Sequence, residues 1–186
     1  MIRPQIIELL LMYFLMPVWI TAGAADWVCH RMAHIERNAG PKESLLHLVM
    51  LGELAVPVCA VLFFQINALI FLIMLVALVA HELTTLADLR YASSARLISP
   101  IEQLIHSFLE IIPLTATLFI AVLHWPEFLS LFGIGGQADF SIRSKQPPLP
   151  TSYVSTVLIA VVVCQLIPYL EELWRGLRAQ RVVHTK

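Results

Sequence analysis

Five long apolar stretches, separated by short polar breaks, set the pattern of this chain. Each has about the 20 residues that a helix needs to cross the hydrocarbon core of a bilayer. The first runs from about residue 5 and continues as helix to about residue 38, with Pro17 placed to kink it. Asn38-Ala-Gly-Pro41 ends that helix and opens the next, because glycine suits a helix C-terminus and proline the first helical position. The second helix covers about residues 41–64, and a tight turn at Gln65-Ile66-Asn67 leads into the third, about 68–91. Ser99-Pro100-Ile101-Glu102 has the form of a capping box, so the fourth starts there and covers about 100–124. Trp125-Pro126 stops it. A polar loop with several glycines and prolines, about 127–150, precedes the fifth helix, about 151–174. The pattern predicts an all-α fold: residues 1–186 as a single integral membrane domain, a bundle of five transmembrane helices.

Composition sharpens this. Of 186 residues, 59% are hydrophobic and 13% charged, and the mean hydropathy is +0.80. An ordinary soluble domain carries about twice that charged share. Any chemistry must therefore be built within the helices. A net charge of −1 without a basic stripe excludes a nucleic-acid partner. Cys29, Cys59 and Cys164 stand singly with no CxxC pair, which argues against a disulfide framework or a thiolate zinc site. Arg3, the following apolar run and Ala22-Gly23-Ala24 imitate a signal peptide, but the run is long enough to span and is read as an uncleaved helix.

Lysine and arginine give the orientation. With five crossings, one side holds Arg31, Arg37, Lys42, Arg90, Arg96, Arg175, Arg178, Arg181 and Lys186, nine of the twelve basic residues. The other holds Arg3, Arg143 and Lys145. The richer side is expected to be cytoplasmic, giving N-out and C-in.

That assignment brings a second pattern into view. Four of the five spans carry a carboxylate and a histidine at same-face helical spacing: Asp26 with His30, Glu43 with His47, His81 with Asp88, and His106 with Glu110. All four pairs fall at the cytoplasmic ends of their helices. Ionisable groups inside a bilayer are costly and usually functional, and imidazole with carboxylate is the donor set of a non-haem metal site. His34 extends the first pair, and Glu53 sits mid-helix among apolar neighbours. The candidate metal ligands are Asp26, His30, His34, Glu43, His47, Glu53, His81, Asp88, His106 and Glu110, with Glu53 and Glu110 as candidate catalytic proton carriers. So many donors suit two or three ions, iron first, with manganese or zinc as alternatives. Glu102 is read mainly as a helix cap, and Glu8, Glu171 and Glu172 as interfacial and solvated. No ligand is expected from the fifth helix, which would serve as a scaffold or a homodimer contact.

The stretches Asp26-Trp-Val-Cys-His-Arg-Met-Ala-His-Ile-Glu36, Lys42-Glu-Ser-Leu-Leu-His47 and Tyr91-Ala-Ser-Ser-Ala-Arg96 resemble a group of small multi-pass proteins of the bacterial inner membrane. That resemblance implies a location and no reaction. More loosely, the chain is similar to membrane di-iron hydroxylases and desaturases, which place histidine-rich ligands at the cytoplasmic membrane face. It has one HxxxH, His30 to His34, no HxxHH, and more carboxylate than those families carry.

The leading expectation is a non-haem di-iron oxidoreductase acting among membrane lipids on a lipid-like or quinone-like substrate. No flavin or nicotinamide fingerprint is present, so a separate electron donor is expected. Alternatives are a zinc-dependent intramembrane hydrolase, a metal transporter or sensor, and a haem protein. A transporter should carry polar residues along the whole crossing, and the far halves of these helices nearly lack them.

Overall fold

A computed structural model describes residues 4–184, which are mostly helical with no strand among them. Five helices are long and apolar enough to cross a membrane: α1 (Pro4–Met32), α3 (Pro41–Phe63), α4 (Ala68–Ala95), α5 (Pro100–Leu123) and α7 (Thr151–Arg181). Two short helices, α2 (Ile35–Asn38) and α6 (Trp125–Ser130), sit in the connections. Arg3 and Lys186, which enter the charge count, lie outside the described residues.

The bounds differ from the sequence reading in four places, each with a local cause. The first helix does not continue to residue 38. It ends at Met32, and His34 adopts a left-handed conformation (φ 53°, ψ 47°) that turns the chain. The reversal buries Ile35 completely beneath the bundle end. The third span runs a turn past Tyr91, to Ala95, because Ala92-Ser-Ser-Ala95 contains no breaker. The loop after the fourth span begins with α6, where Pro126 occupies a first-turn position that a proline tolerates. The fifth span continues well beyond Trp174, since its arginines solvate an extra helical stretch.

Two prolines leave the same signature. Leu11–Leu15 in α1 and Val162–Leu166 in α7 are π-helical, and each segment ends two residues before a proline, Pro17 and Pro168. Proline has no N–H to donate and its ring crowds the preceding turn, and a widened turn relieves that crowding. The second widened turn carries Gln165, which is buried and donates from Nε2 to the Trp19 carbonyl at 3.4 Å. Gly23 of α1 faces it, and a Cβ there would stand 2.5 Å from Gln165 Nε2. Glycine is thus what allows α1 and α7 to approach.

At one end of the bundle the 133–150 loop folds back over the α3–α4 turn. Gln65 N–H donates to the Arg143 carbonyl (2.9 Å), Lys145 N–H to that of Phe63 (2.8 Å), and Asn67 caps α4. At the other end meet the C-termini of α1, α4 and α7 and the N-termini of α3 and α5. Tyr91 of α4 donates to the Ala39 carbonyl (2.6 Å), Arg175 of α7 pairs with Glu36 (2.5 Å), and Gly176 lies against Pro41. Two apolar clusters, one around Phe71 and Ile120 and one around Trp19 and Leu54, hold the helices together between these ends.

Candidate metal centre

All five long helices contribute ionisable side chains to the interior of this second end. Asp26 and His30, one turn apart on α1, are fully buried. His47 enters from α3, Asp88 from α4 and His106 from α5. His30 Nε2 lies 3.5 Å from Asp26 Oδ1 and 3.3 Å from Glu102 Oε1. His106 Nδ1 is 3.0 Å from Asp26 Oδ1, while its Nε2 is 3.8 Å from Asp88 Oδ2. His47 Nε2 stands 3.6 Å from the same Asp88 oxygen. Donor atoms of Asp26, His30 and His47 all lie within 4.8 Å of one another, close enough to share one ion.

The fifth helix supplies what the sequence reading missed. Glu172 has no exposed surface, and it bridges two histidines: Oε2 to His30 Nδ1 at 3.1 Å and Oε1 to His47 Nδ1 at 2.9 Å. Its neighbour Glu171 meets Arg31, Arg175 and Trp27 at the rim, which is the setting expected for both. A readable signal existed. Gln165, Tyr169 and Glu172 fall at i, i+4 and i+7, one polar stripe on the inner face of α7, and all three are buried. The buried cluster of ionisable side chains therefore draws on five helices, one more than the four expected to supply ligands.

Glu172 also fixes the tautomers. An ionised carboxylate only accepts, so both Nδ1 atoms carry hydrogen and both Nε2 atoms face inward. Those Nε2 atoms have no hydrogen-bond partner, nor do Asp26 Oδ1, Asp88 Oδ1 and His106 Nδ1. Orphaned buried polar atoms are rare and call for an explanation. The His30 and His47 rings stack face to face, 4.4 Å between centroids and 10° from parallel. Two imidazolium ions held that way repel. Two neutral rings instead aim lone pairs at carboxylate oxygens, which is also repulsive. A cation held between them would resolve both conflicts.

Charge points the same way. Asp26, Glu43, Asp88, Glu102 and Glu172 are the buried carboxylates among the described residues. One buried guanidinium, that of Arg96 just beyond α4, faces them. It donates to Glu43 Oε1 at 2.6 Å and to both oxygens of Glu102. Burial opposes the charge on Arg96, but hydrogen bonds to Glu102 and Glu43 outweigh it and raise its pKa above the ordinary arginine range. With neutral histidines, four negative charges remain in a low-dielectric interior, where uncompensated charge is very costly.

The other candidates divide. Glu43 is buried but committed to Arg96, so it braces the site from outside the histidine cluster. Glu102 does not close its capping box. Ser99 accepts from Glu102 N–H at 3.2 Å, but the Glu102 carboxylate turns inward to Arg96 and His30, which corrects its reading as a cap. His34 is not brought in: its side chain is 63% exposed and pairs with Glu36 at the rim. Glu53 and His81, 4.0 Å apart, form a separate pair outside this cluster, and Glu110 shares with His81 only the lining of a cavity. That cavity, of about 40 Å³, is bounded by Asp26, His47 and His106 on one side and His81 and Glu110 on the other. Trp19, Leu51, Leu54 and Leu109 give it an apolar wall.

No protein-family model, curated protein or solved structure matches the chain. The five apolar helices mark it as a multi-pass membrane protein.

Proposed function

We propose that this membrane protein holds about two divalent metal ions among Asp26, His30, His47, Asp88 and His106, with Glu102 at their edge. The single observation that carries this reading is the convergence of orphaned donors, His30 Nε2, His47 Nε2, His106 Nδ1, Asp26 Oδ1 and Asp88 Oδ1, while Glu172 anchors the far nitrogens of two rings. First-row ions bind nitrogen and oxygen at about 2.0–2.2 Å, which sets neighbouring donors about 3.0–3.6 Å apart. Four separations in the cluster, 3.0, 3.3, 3.5 and 3.6 Å, fall in that range, and the His106 Nε2–Asp88 Oδ2 distance of 3.8 Å lies just beyond it. Two divalent ions would also neutralise the four uncompensated carboxylates.

Mixed imidazole and carboxylate ligation without thiolate favours iron, and we read the protein as a non-haem iron oxidoreductase. When bound, the iron would supply redox chemistry, with electrons from a separate donor. The chain's own residues do the rest. Glu172 fixes ring orientation, Arg96 clasps Glu43 and Glu102 by hydrogen bonds, and Glu110 at the cavity is placed to move a proton. A 40 Å³ cavity has room for about three water-sized groups and no more. It suits the polar end of a lipid-like or quinone-like substrate whose tail stays in the bilayer. The basic residues at this end favour the cytoplasmic side of a bacterial inner membrane.

Oxygen consumption by iron-loaded protein in lipid nanodiscs, with a short-chain quinol as reductant, tests the reading. We expect turnover that His47→Ala abolishes. Iron bound without turnover by any quinol or lipid would remove the oxidoreductase assignment and keep the metal centre. A zinc-only protein would favour hydrolysis.

A further inference from the structure

The geometry points to a second, separate cation site on the far side of the cavity, formed by His81 of α4 and Glu53 of α3, with Glu110 of α5 facing the same space. His81 is 5% exposed, and its Nδ1 has no hydrogen-bond partner. That nitrogen points at Glu53 Oε2, which is likewise buried and unpartnered, across 4.0 Å. The gap is too long for a hydrogen bond. It matches the sum of two metal–ligand bonds of about 2.0–2.1 Å each, the span an ion would bridge.

The surroundings are built for that role. Thr84 donates to Glu53 Oε1 at 2.8 Å, which orients the carboxylate and leaves the second oxygen free. The His81 ring also meets the Met50 carbonyl. His81 and Glu110 both line the cavity, so water or a substrate atom can complete the coordination. With two protein donors opposed, the site would keep open positions on its cavity side. One imidazole with hard oxygen donors selects a divalent first-row cation such as iron or manganese.

This site stands on different residues from the inner centre, so the two can fail independently. Chelator-stripped protein, kept in detergent and checked for a single gel-filtration peak, is titrated with Co²⁺. Bound ions are counted by elemental analysis, with the visible d–d bands recorded. Glu53→Gln, which keeps shape, and His81→Ala should each bind one ion fewer per chain than wild type. His30→Ala/His47→Ala should retain that one ion, and adding Glu53→Gln should remove it. Unchanged stoichiometry in Glu53→Gln and His81→Ala overturns the second site. Loss of every ion in His30→Ala/His47→Ala also overturns it. A wild type holding one ion that only the His81 and Glu53 changes remove would overturn the inner centre and leave this site standing.

Discussion

The two ends of the bundle bury polar groups in opposite ways. Where the 133–150 loop covers the α3–α4 turn, polar atoms find protein partners. Asn67 Nδ2 donates to the Ser141 carbonyl (2.8 Å) and Asn67 Oδ1 accepts from Ile70 N–H (3.2 Å). Asp139 accepts from Ser141 N–H and Oγ and from Arg143. These bonds, with the pairing of nearby charge, hold the Asp139 carboxyl below the usual range. At the other end Arg31, Glu171, Arg175 and Glu36 form ion pairs around the rim, although Arg175 Nη2 has no hydrogen-bond partner. Inside it His30 Nε2, His47 Nε2, His106 Nδ1, Asp26 Oδ1 and Asp88 Oδ1 are left without hydrogen bonds. Polarity that serves folding is satisfied by the fold itself. The unsatisfied polarity of the histidine and aspartate cluster is what the proposed ions would satisfy.

The comparison breaks most visibly at the histidines. Replacing His30 and His47 together by alanine should remove the inner ions and cut metal content from about two or three ions per chain to about one, that held by His81 and Glu53. Elemental analysis measures it, and retention of wild-type metal would make those rings structural. Next in size is Arg96→Met. It strands Glu43 and Glu102 without their cation and should cost about 3–5 kcal/mol, seen as a lower unfolding midpoint in detergent. Arg96→Lys should recover part of that loss, since one ammonium cannot reproduce the guanidinium fork.

A smaller effect sharpens the role of the fifth helix. Glu172→Gln should keep the bundle folded and weaken metal affinity about 10–100-fold in a chelator competition, because the amide orients one ring and not both. Unaltered affinity would reduce Glu172 to packing. Smallest is Asn67→Ala at the opposite end. Loss of that cap should cost about 1 kcal/mol of stability and leave metal content unchanged. A metal loss there would mean that the two ends are coupled, against the division drawn above.

Much of the fold was legible because a bilayer writes plainly. Apolar runs, Gly40-Pro41, Asn67 and Ser99-Pro100 each mark a helix end by a local rule, and the spans start where those rules put them. Helix C-termini were less legible: the third and fifth spans were expected to end at about residues 91 and 174, but nothing near those positions breaks a helix. The reversal at His34 had no local warning, being driven by burial of Ile35. In the site, spacing marked Asp26 with His30 and placed His47 and His106, since same-face pairs on one helix need no tertiary knowledge. Glu172 was hidden because it sits beside Glu171, Trp174 and Arg175, in composition that reads as solvated. Only the stripe with Gln165 and Tyr169 distinguishes the inner glutamate from the outer one. The Arg96 clasp was not readable at all, since nothing local in a loop arginine reports two carboxylates brought from other helices.

The most direct test of the central claim is the metal content of wild-type protein, purified anaerobically in detergent with iron supplied, with its optical spectrum. The account predicts about two or three ions per chain and no haem Soret band. A metal-free protein that folds and stacks its histidines all the same would contradict it, and would leave the cluster a network of protonated imidazoles and carboxylates.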